Sequence, residues 1–122
     1  MAKTWFMFGA LFGGLAVALG AFGAHALKNT LSAYGQEIYN KAVIYQMWHA
    51  LALLAVGLLQ QWQPQLDVNP IGWLFTAGIV LFSGSLYILA VTGVTALGMI
   101  TPFGGVAFIA GWLWLLFKVY KA

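Results

Sequence analysis

The chain has 122 residues, of which 63% are hydrophobic and only 6% are charged, and its formal net charge is +3 at pH 7. A soluble globular domain carries roughly 25% charged residues, so this composition excludes a soluble surface and predicts an integral membrane protein. The basic residues are scattered lysines at segment ends, which excludes nucleic-acid binding, and the absence of cysteine excludes disulfides, thiolate metal sites and cysteine nucleophiles.

The membrane spans follow from three uncharged runs, 4–27, 42–66 and 68–117. One crossing of the hydrocarbon needs about 20 residues, so the first two runs each hold one span and the third holds two. A turn is predicted between the last two spans, because Gly93 can end a helix and Pro102 can start one. The sequence predicts an all-α membrane four-helix bundle in one domain, with helices at about 5–27, 41–62, 71–91 and 102–119.

Helix one begins like a signal peptide, with Lys3, an apolar core and an Ala-His-Ala sequence at 24–26 that resembles a cleavage site, but we expect the segment to be retained as a span. Two small-residue stripes run along it at helical spacing: Gly9, Gly13, Ala16 and Gly20, and on another face Gly14, Ala18, Ala21 and His25. Small faces let helix backbones approach closely. We expect helix one to be central, with neighbours on both sides, or to offer one face to an oligomer.

The segment before helix two, about 29–40, has apolar residues at spacings of three and four, which predicts an amphipathic linker lying on the membrane interface. An early start of helix two is the alternative. Helix two then carries Gln46 and His49 on one face. Helix three carries Ser83, Ser85 and Tyr87, and Thr101 precedes helix four, where Gly104 and Gly111 are expected to pack against a neighbour.

Four spans place both termini and the 63–70 loop on one side of the membrane, here side A, and the 28–40 and 92–101 segments on the other, side B. Side A carries three of the five lysines, so the positive-inside rule predicts that both termini are cytoplasmic. Five of the six tryptophans also fall near side A, where an interfacial belt is expected: Trp5, Trp62, Trp73, Trp112 and Trp114.

Polar side chains in hydrocarbon need partners, and all four helices place theirs in the side-B half. The candidate cluster is His25, Lys28, Gln46, His49, Ser83, Ser85, Tyr87 and Thr101. The favoured interpretation is structural: hydrogen bonds between helices, with His49 paired to a serine or tyrosine of helix three, His25 bonded to the linker, and the serines bonded to carbonyls four residues earlier.

Other interpretations of the cluster remain open. A pocket for a lipid headgroup or small solute would use Lys28, His25, Gln46, His49 and Tyr87, and a proton or ion pathway would use the two histidines. Haem or metal ligation would need a further ligand such as Glu37, Met47 or Met99, and an intramembrane hydrolase would pair His49 with Ser83 or Ser85. No metal or cofactor is expected, because no motif has the required spacing.

Four blocks carry a family resemblance: GAFGAHALK (20–28), YQMWHALALL (45–54), LFSGSLYILAVTG (81–93) and TPFGGVAFIAGW (101–112). They resemble the YgdD/YwdK-type family of small bacterial inner-membrane proteins, classed as domain of unknown function 423. The resemblance implies a four-helix inner-membrane protein and supplies no activity. We therefore expect a non-enzymatic protein that contacts the lipid bilayer and either partner subunits or further copies of itself. A transporter, channel or lipid-binding protein is the alternative.

Overall fold

The computed structural model describes residues 1–122, and four of its helices are long and apolar enough to cross a membrane. They are α1 (Ala2–His25), α2 (Ala33–Trp62), α3 (Asn69–Thr92) and α4 (Thr101–Lys121), with a short 3₁₀ turn at Thr95–Met99 before α4. The predicted all-α, four-span membrane architecture is confirmed. Each helix has at least 21 residues, which meets the length of about 20 that one hydrocarbon crossing requires.

Helix α2 begins at Ala33, eight residues before the predicted start at 41, and this corrects the amphipathic linker expected over 29–40. Ser32 caps the helix, since its hydroxyl accepts the Gly35 N–H at 3.0 Å. Ile38 and Tyr39 are buried in the bundle rather than lying on the interface. The apolar residues spaced three and four apart therefore form a buried face of α2. Only a short turn joins α1 to α2.

The turn between α3 and α4 lies where the sequence predicted it. Gly93 ends α3 in the left-handed conformation (φ +72°), a region that side chains with a Cβ rarely adopt, and its N–H bonds to Leu89 O at 2.8 Å. Pro102 lies in the first turn of α4, where its missing N–H leaves no helix bond unmade.

Helix α1 is peripheral, which corrects the expectation that it is central. It packs along α2, and only its first two turns reach α3, where Trp5 lies against Gly72 and Trp73. Helix α2 has the largest buried share of the four and lies between α1 and α3, while α3 packs along α4. One small-residue stripe of α1 therefore faces α2, and the other faces outward.

The interior divides into two apolar clusters with polar side chains between them. The larger cluster, near side A, is built around Trp5, Leu53, Ile71, Phe75 and Phe108. The smaller cluster, near side B, consists of Ile38, Ala42, Leu86 and Leu89. The buried polar residues between them are Gln46, His49, Ser83 and Ser85. This arrangement places the candidate functional site inside the bundle, between the two apolar clusters.

Candidate functional site

Gln46 joins three helices through its side-chain amide. Its Nε2 donates to the backbone carbonyl of Phe12 on α1 at 2.8 Å, and its Oε1 accepts the Tyr87 hydroxyl of α3 at 2.7 Å. Both bonds use groups that would otherwise lie unpaired in the bilayer, where an unmade bond is costly. Gln46 therefore ties the peripheral α1 and the interior α3 to α2.

His49 has a partner at each ring nitrogen. Its Nδ1 lies 2.7 Å from the Tyr45 carbonyl, and its Nε2 accepts the indole N–H of Trp112 at 3.0 Å. A carbonyl only accepts and an indole N–H only donates, so the bonds require a neutral ring with its proton on Nδ1. The ring also stacks on Phe108, with centroids 3.6 Å apart and an interplanar angle of 11°.

The predicted partner of His49, a serine or tyrosine of helix three, is wrong, because Trp112 of α4 fills that position. The depth is corrected as well. His49 lies near the middle of the 30-residue helix α2 rather than within its side-B half, because α2 starts earlier than predicted. No lone pair or proton of the ring remains free to bind a metal, activate a serine or relay a proton.

The two serines of α3 bond differently from the expected carbonyls four residues earlier. The Ser83 hydroxyl donates to the Ala42 carbonyl of α2 at 2.7 Å, from a wide π-helical turn at Ile79–Ser83. The Ser85 hydroxyl donates to Phe82 O, three residues earlier, and lies 2.6 Å from Thr101 Oγ1. Since the single Ser85 proton goes to the carbonyl, Thr101 is the donor in the second bond, which links α3 to the start of α4.

His25 and Lys28 lie apart from the other candidates, because both are exposed at the side-B surface. The His25 Nδ1 bonds to Ala21 O of its own helix at 2.8 Å and not to the linker. Lys28 lines a crevice of about 220 Å³ with Gln36, Tyr39 and Asn40, and its carbonyl accepts the Gln36 amide. The structure therefore pairs four of the eight candidates with one another, as Gln46–Tyr87 and Ser85–Thr101. It gives His49 and Ser83 other partners inside the bundle and leaves His25 and Lys28 at the surface.

The five predicted packing glycines lie at helix contacts of different tightness. A Cβ on Gly104 would overlap the backbone of Phe82, and one on Gly9 or Gly111 would come within 2.7 Å of a neighbouring side chain. At Gly20 the distance to Val43 would be 3.3 Å. At Gly13 the nearest atom, Ala50 Cβ, would lie 3.8 Å away, which is ordinary contact.

Two contributors to the site were not predicted, Trp112 and Tyr39. Trp112 was assigned to the side-A belt, although it lies eight residues after Gly104, a spacing that returns to the same side of a helix, and that spacing was the available signal. Tyr39 donates to the Leu19 carbonyl of α1 at 2.6 Å. The sequence does not show which backbone carbonyl accepts a hydrogen bond from another helix, because every residue type carries the same carbonyl.

All buried side-chain nitrogen and oxygen atoms of the protein have a hydrogen-bond partner within the chain. We use the name polar layer for seven residues whose side chains make these hydrogen bonds: Gln46, His49, Ser83, Ser85, Tyr87, Thr101 and Trp112. The larger cavities of the molecule lie elsewhere, at the side-A loop, at the side-B crevice and on outward faces of the helices. The polar layer is therefore closed on itself.

Comparison with known proteins gives consistent matches over the whole chain. The family model described as protein of unknown function (DUF423) matches residues 19–105. A UPF0382 membrane protein of Staphylococcus saprophyticus is 50% identical over 119 residues, covering 98% of both chains. The UPF0382 membrane protein YwdK of Bacillus subtilis is 46% identical over 120 residues, again covering 98% of both chains. No solved structure matches the chain.

Proposed function

The chain belongs to the DUF423 family, whose matching relatives are named UPF0382 membrane proteins, and from this premise we propose that it is a non-enzymatic protein that works through helix contacts with other membrane polypeptides. The observation that carries the proposal is the closed polar layer. A site for chemistry needs a side chain with a free lone pair or proton and a path for the reactant. Here the buried candidates use these groups in hydrogen bonds to backbone carbonyls and to side chains of neighbouring helices.

The outward surface supports the same proposal. Only 11% of the 18-residue apolar stretch of α1 is buried within the chain, and the corresponding share for the last span is 17%. A helix bundle of this size thus presents two long, largely uncovered faces to its surroundings. In a bilayer such faces associate by close packing and by hydrogen bonds between helices, since lipid and side chains are equally apolar.

A transporter, channel or lipid-binding function is the alternative, and the geometry opposes it at the predicted cluster. Its candidate groups would have to face a common cavity, but Gln46 and His49 line none of the larger cavities. His25 and Lys28, which are accessible, lie on the side-B surface away from them. The polar layer acts in this proposal as internal cross-links that fix the shape of the contact faces.

Native mass spectrometry of the full chain released from lipid nanodiscs tests the proposal. We expect an assembly of fixed stoichiometry with at least one further polypeptide, the same or different. The His49→Leu variant should keep that stoichiometry, because His49 holds no ligand. A chain that leaves the membrane only as a monomer, or one that carries a small molecule lost in His49→Leu, would contradict the proposal.

A further inference from the structure

A polar crevice opens on the side-B surface between the end of α1 and the start of α2. It has a volume of about 220 Å³, and its polar lining residues are Lys28, Gln36, Tyr39 and Asn40. Pockets that hold a whole drug-sized molecule have volumes of about 300–1,000 Å³. The crevice therefore has room for one polar group of a larger ligand.

Two hydrogen bonds hold the walls of the crevice in place. The Gln36 amide on α2 donates to the Lys28 carbonyl at 2.6 Å, which ties the turn after α1 to the helix. The Tyr39 hydroxyl donates to the Leu19 carbonyl of α1, and the Tyr39 ring lies so close to Gly23 that a Cβ there would overlap it. The crevice is therefore part of the folded structure, and a ligand need not spend binding free energy on organising it.

The charge of the crevice suits an anion. Lys28 is its one charged lining residue, and a lysine ammonium is a compact charge with three donors that binds phosphate. The exposed Asn40 adds an amide N–H donor from α2. Glu37, the one carboxylate of the side-B segment, does not line the crevice and lies one helical turn before Lys41. No carboxylate of the lining therefore competes for the lysine.

The crevice lies at the level of lipid headgroups. Ala24, which lines it, is about three helical turns beyond Gly13, the middle of α1, or roughly 16 Å along the helix axis. Half of a hydrocarbon core about 30 Å thick is roughly 15 Å. An anionic group bound to Lys28 is therefore at the depth of the phosphates of the surrounding lipid.

An apolar groove continues from the crevice toward the middle of the bilayer. It has a volume of about 380 Å³, lies between the same two helices, and is lined by hydrophobic residues and one glycine. Its lining residues Ala21 and Ile44 each lie one helical turn from a crevice residue, Ala24 and Asn40 respectively, so both cavities follow one seam. The seam is thus cationic at headgroup depth and apolar below it, which is the order of groups in an anionic phospholipid.

We propose that this seam binds one phospholipid with an anionic headgroup. Its phosphate contacts Lys28 and Asn40 in the crevice, and one acyl chain lies in the groove beside Ala21 and Ile44. Basic pockets between transmembrane helices hold lipid headgroups by the same attraction. The site is separate from the polar layer, and it goes beyond the proposed function, which concerns contacts with polypeptides.

Native mass spectrometry of the full chain tests the headgroup contact. The chain is released from nanodiscs with equal amounts of phosphatidylglycerol and phosphatidylcholine that have identical acyl chains, and we expect one phosphatidylglycerol to be retained in preference to phosphatidylcholine. Lys28→Gln should lower that retention about fivefold, the effect of one lysine at an anionic lipid surface. Lys41→Gln is the matched control, because Lys41 is an exposed cation of the same surface outside the crevice, and it should leave retention unchanged.

Ala21→Phe tests the groove in the same experiment. Its ring occupies the space of the acyl chain without changing any charge, so retention of phosphatidylglycerol should fall several-fold. Ala18→Phe, at an exposed position of α1 outside the groove, should leave it unchanged. Excess inorganic phosphate should not displace the lipid, because it makes only the headgroup contact.

Three results would overturn the inference. Equal retention of the two lipids, or equal losses from Lys28→Gln and Lys41→Gln, would mean attraction to the whole surface instead of a site. Displacement by inorganic phosphate would mean that the groove holds no acyl chain. An assembly of polypeptides that retains no lipid would also overturn the inference and would leave the proposed function standing, whereas a monomer that retains phosphatidylglycerol would support the inference and contradict the proposed function.

Discussion

At the scale of single residues, the protonation of a buried polar side chain follows from whether its partners donate or accept hydrogen bonds. His49 lies between a group that can only accept and one that can only donate, so its tautomer follows from the two contacts. Gln46 and Ser85 likewise use donor and acceptor on different helices. The sequence identified these residues as the candidates, and their hydrogen bonds to other parts of the bundle support the proposed role as structural cross-links.

The Trp112→Phe variant tests the role of His49 as a cross-link. It keeps an aromatic side chain but removes the donor to Nε2 and part of the ring volume, which leaves a buried acceptor without a partner. We expect the free energy of unfolding in bicelles to fall by about 1–2 kcal/mol. Trp114→Phe is the matched control, because the Trp114 indole donates to no atom of the chain, and equal losses from the two changes would refute the assignment.

At the scale of helices, the closest approach is between α3 and α4, where Gly104 lies on the backbone of Phe82. A rigid backbone cannot move aside as a flexible side chain can, so the helix pair depends on the missing Cβ. The next residue, Gly105, has its nearest neighbour at 3.9 Å from a Cβ position and so tolerates one. Gly104 therefore has no room for a Cβ, whereas Gly105 does.

Gly104→Ala and Gly105→Ala should accordingly change stability in opposite directions. We expect Gly104→Ala to lower the free energy of unfolding by about 1–3 kcal/mol through overpacking. Gly105→Ala should be neutral or raise it by up to about 1 kcal/mol, because alanine restricts the unfolded chain and favours a helix. Unfolding of both variants in the same bicelles measures the difference, and a Gly104→Ala protein as stable as the parent would contradict the packing described.

Much of the helix architecture could be predicted, because the length of an uncharged run sets the number of spans and because Gly93 and Pro102 mark helix ends by their own backbone preferences. The start of α2 could not, since the apolar spacing around Ile38 fits an interfacial helix and a buried one equally well. For the site, the sequence supplied Gln46 and His49 but not their partners. Trp112 and the Phe12 carbonyl come from distant parts of the chain, and their pairing depends on how the helices pack.

At the scale of the whole molecule, the bundle has its buried polar groups paired internally, while large parts of α1 and α4 are uncovered. The buried polar residues lie between two apolar clusters, and the hydrogen bonds of the polar layer link α1 to α2, α2 to α3 and α4, and α3 to α4. The uncovered faces are the surfaces to which the proposed function assigns contacts with other membrane polypeptides.

Water access to the two histidine side chains tests the closed polar layer most directly. The chain has only two histidines, one exposed and one buried, so a histidine-labelled sample in lipid bilayers contains its own control. In water-edited solid-state NMR, we predict that the His25 ring signal builds up at short mixing times. The signal of the His49 ring, which is protonated on Nδ1, should be absent at those times. Build-up of both rings at the same rate would show that water reaches the layer and would contradict the account.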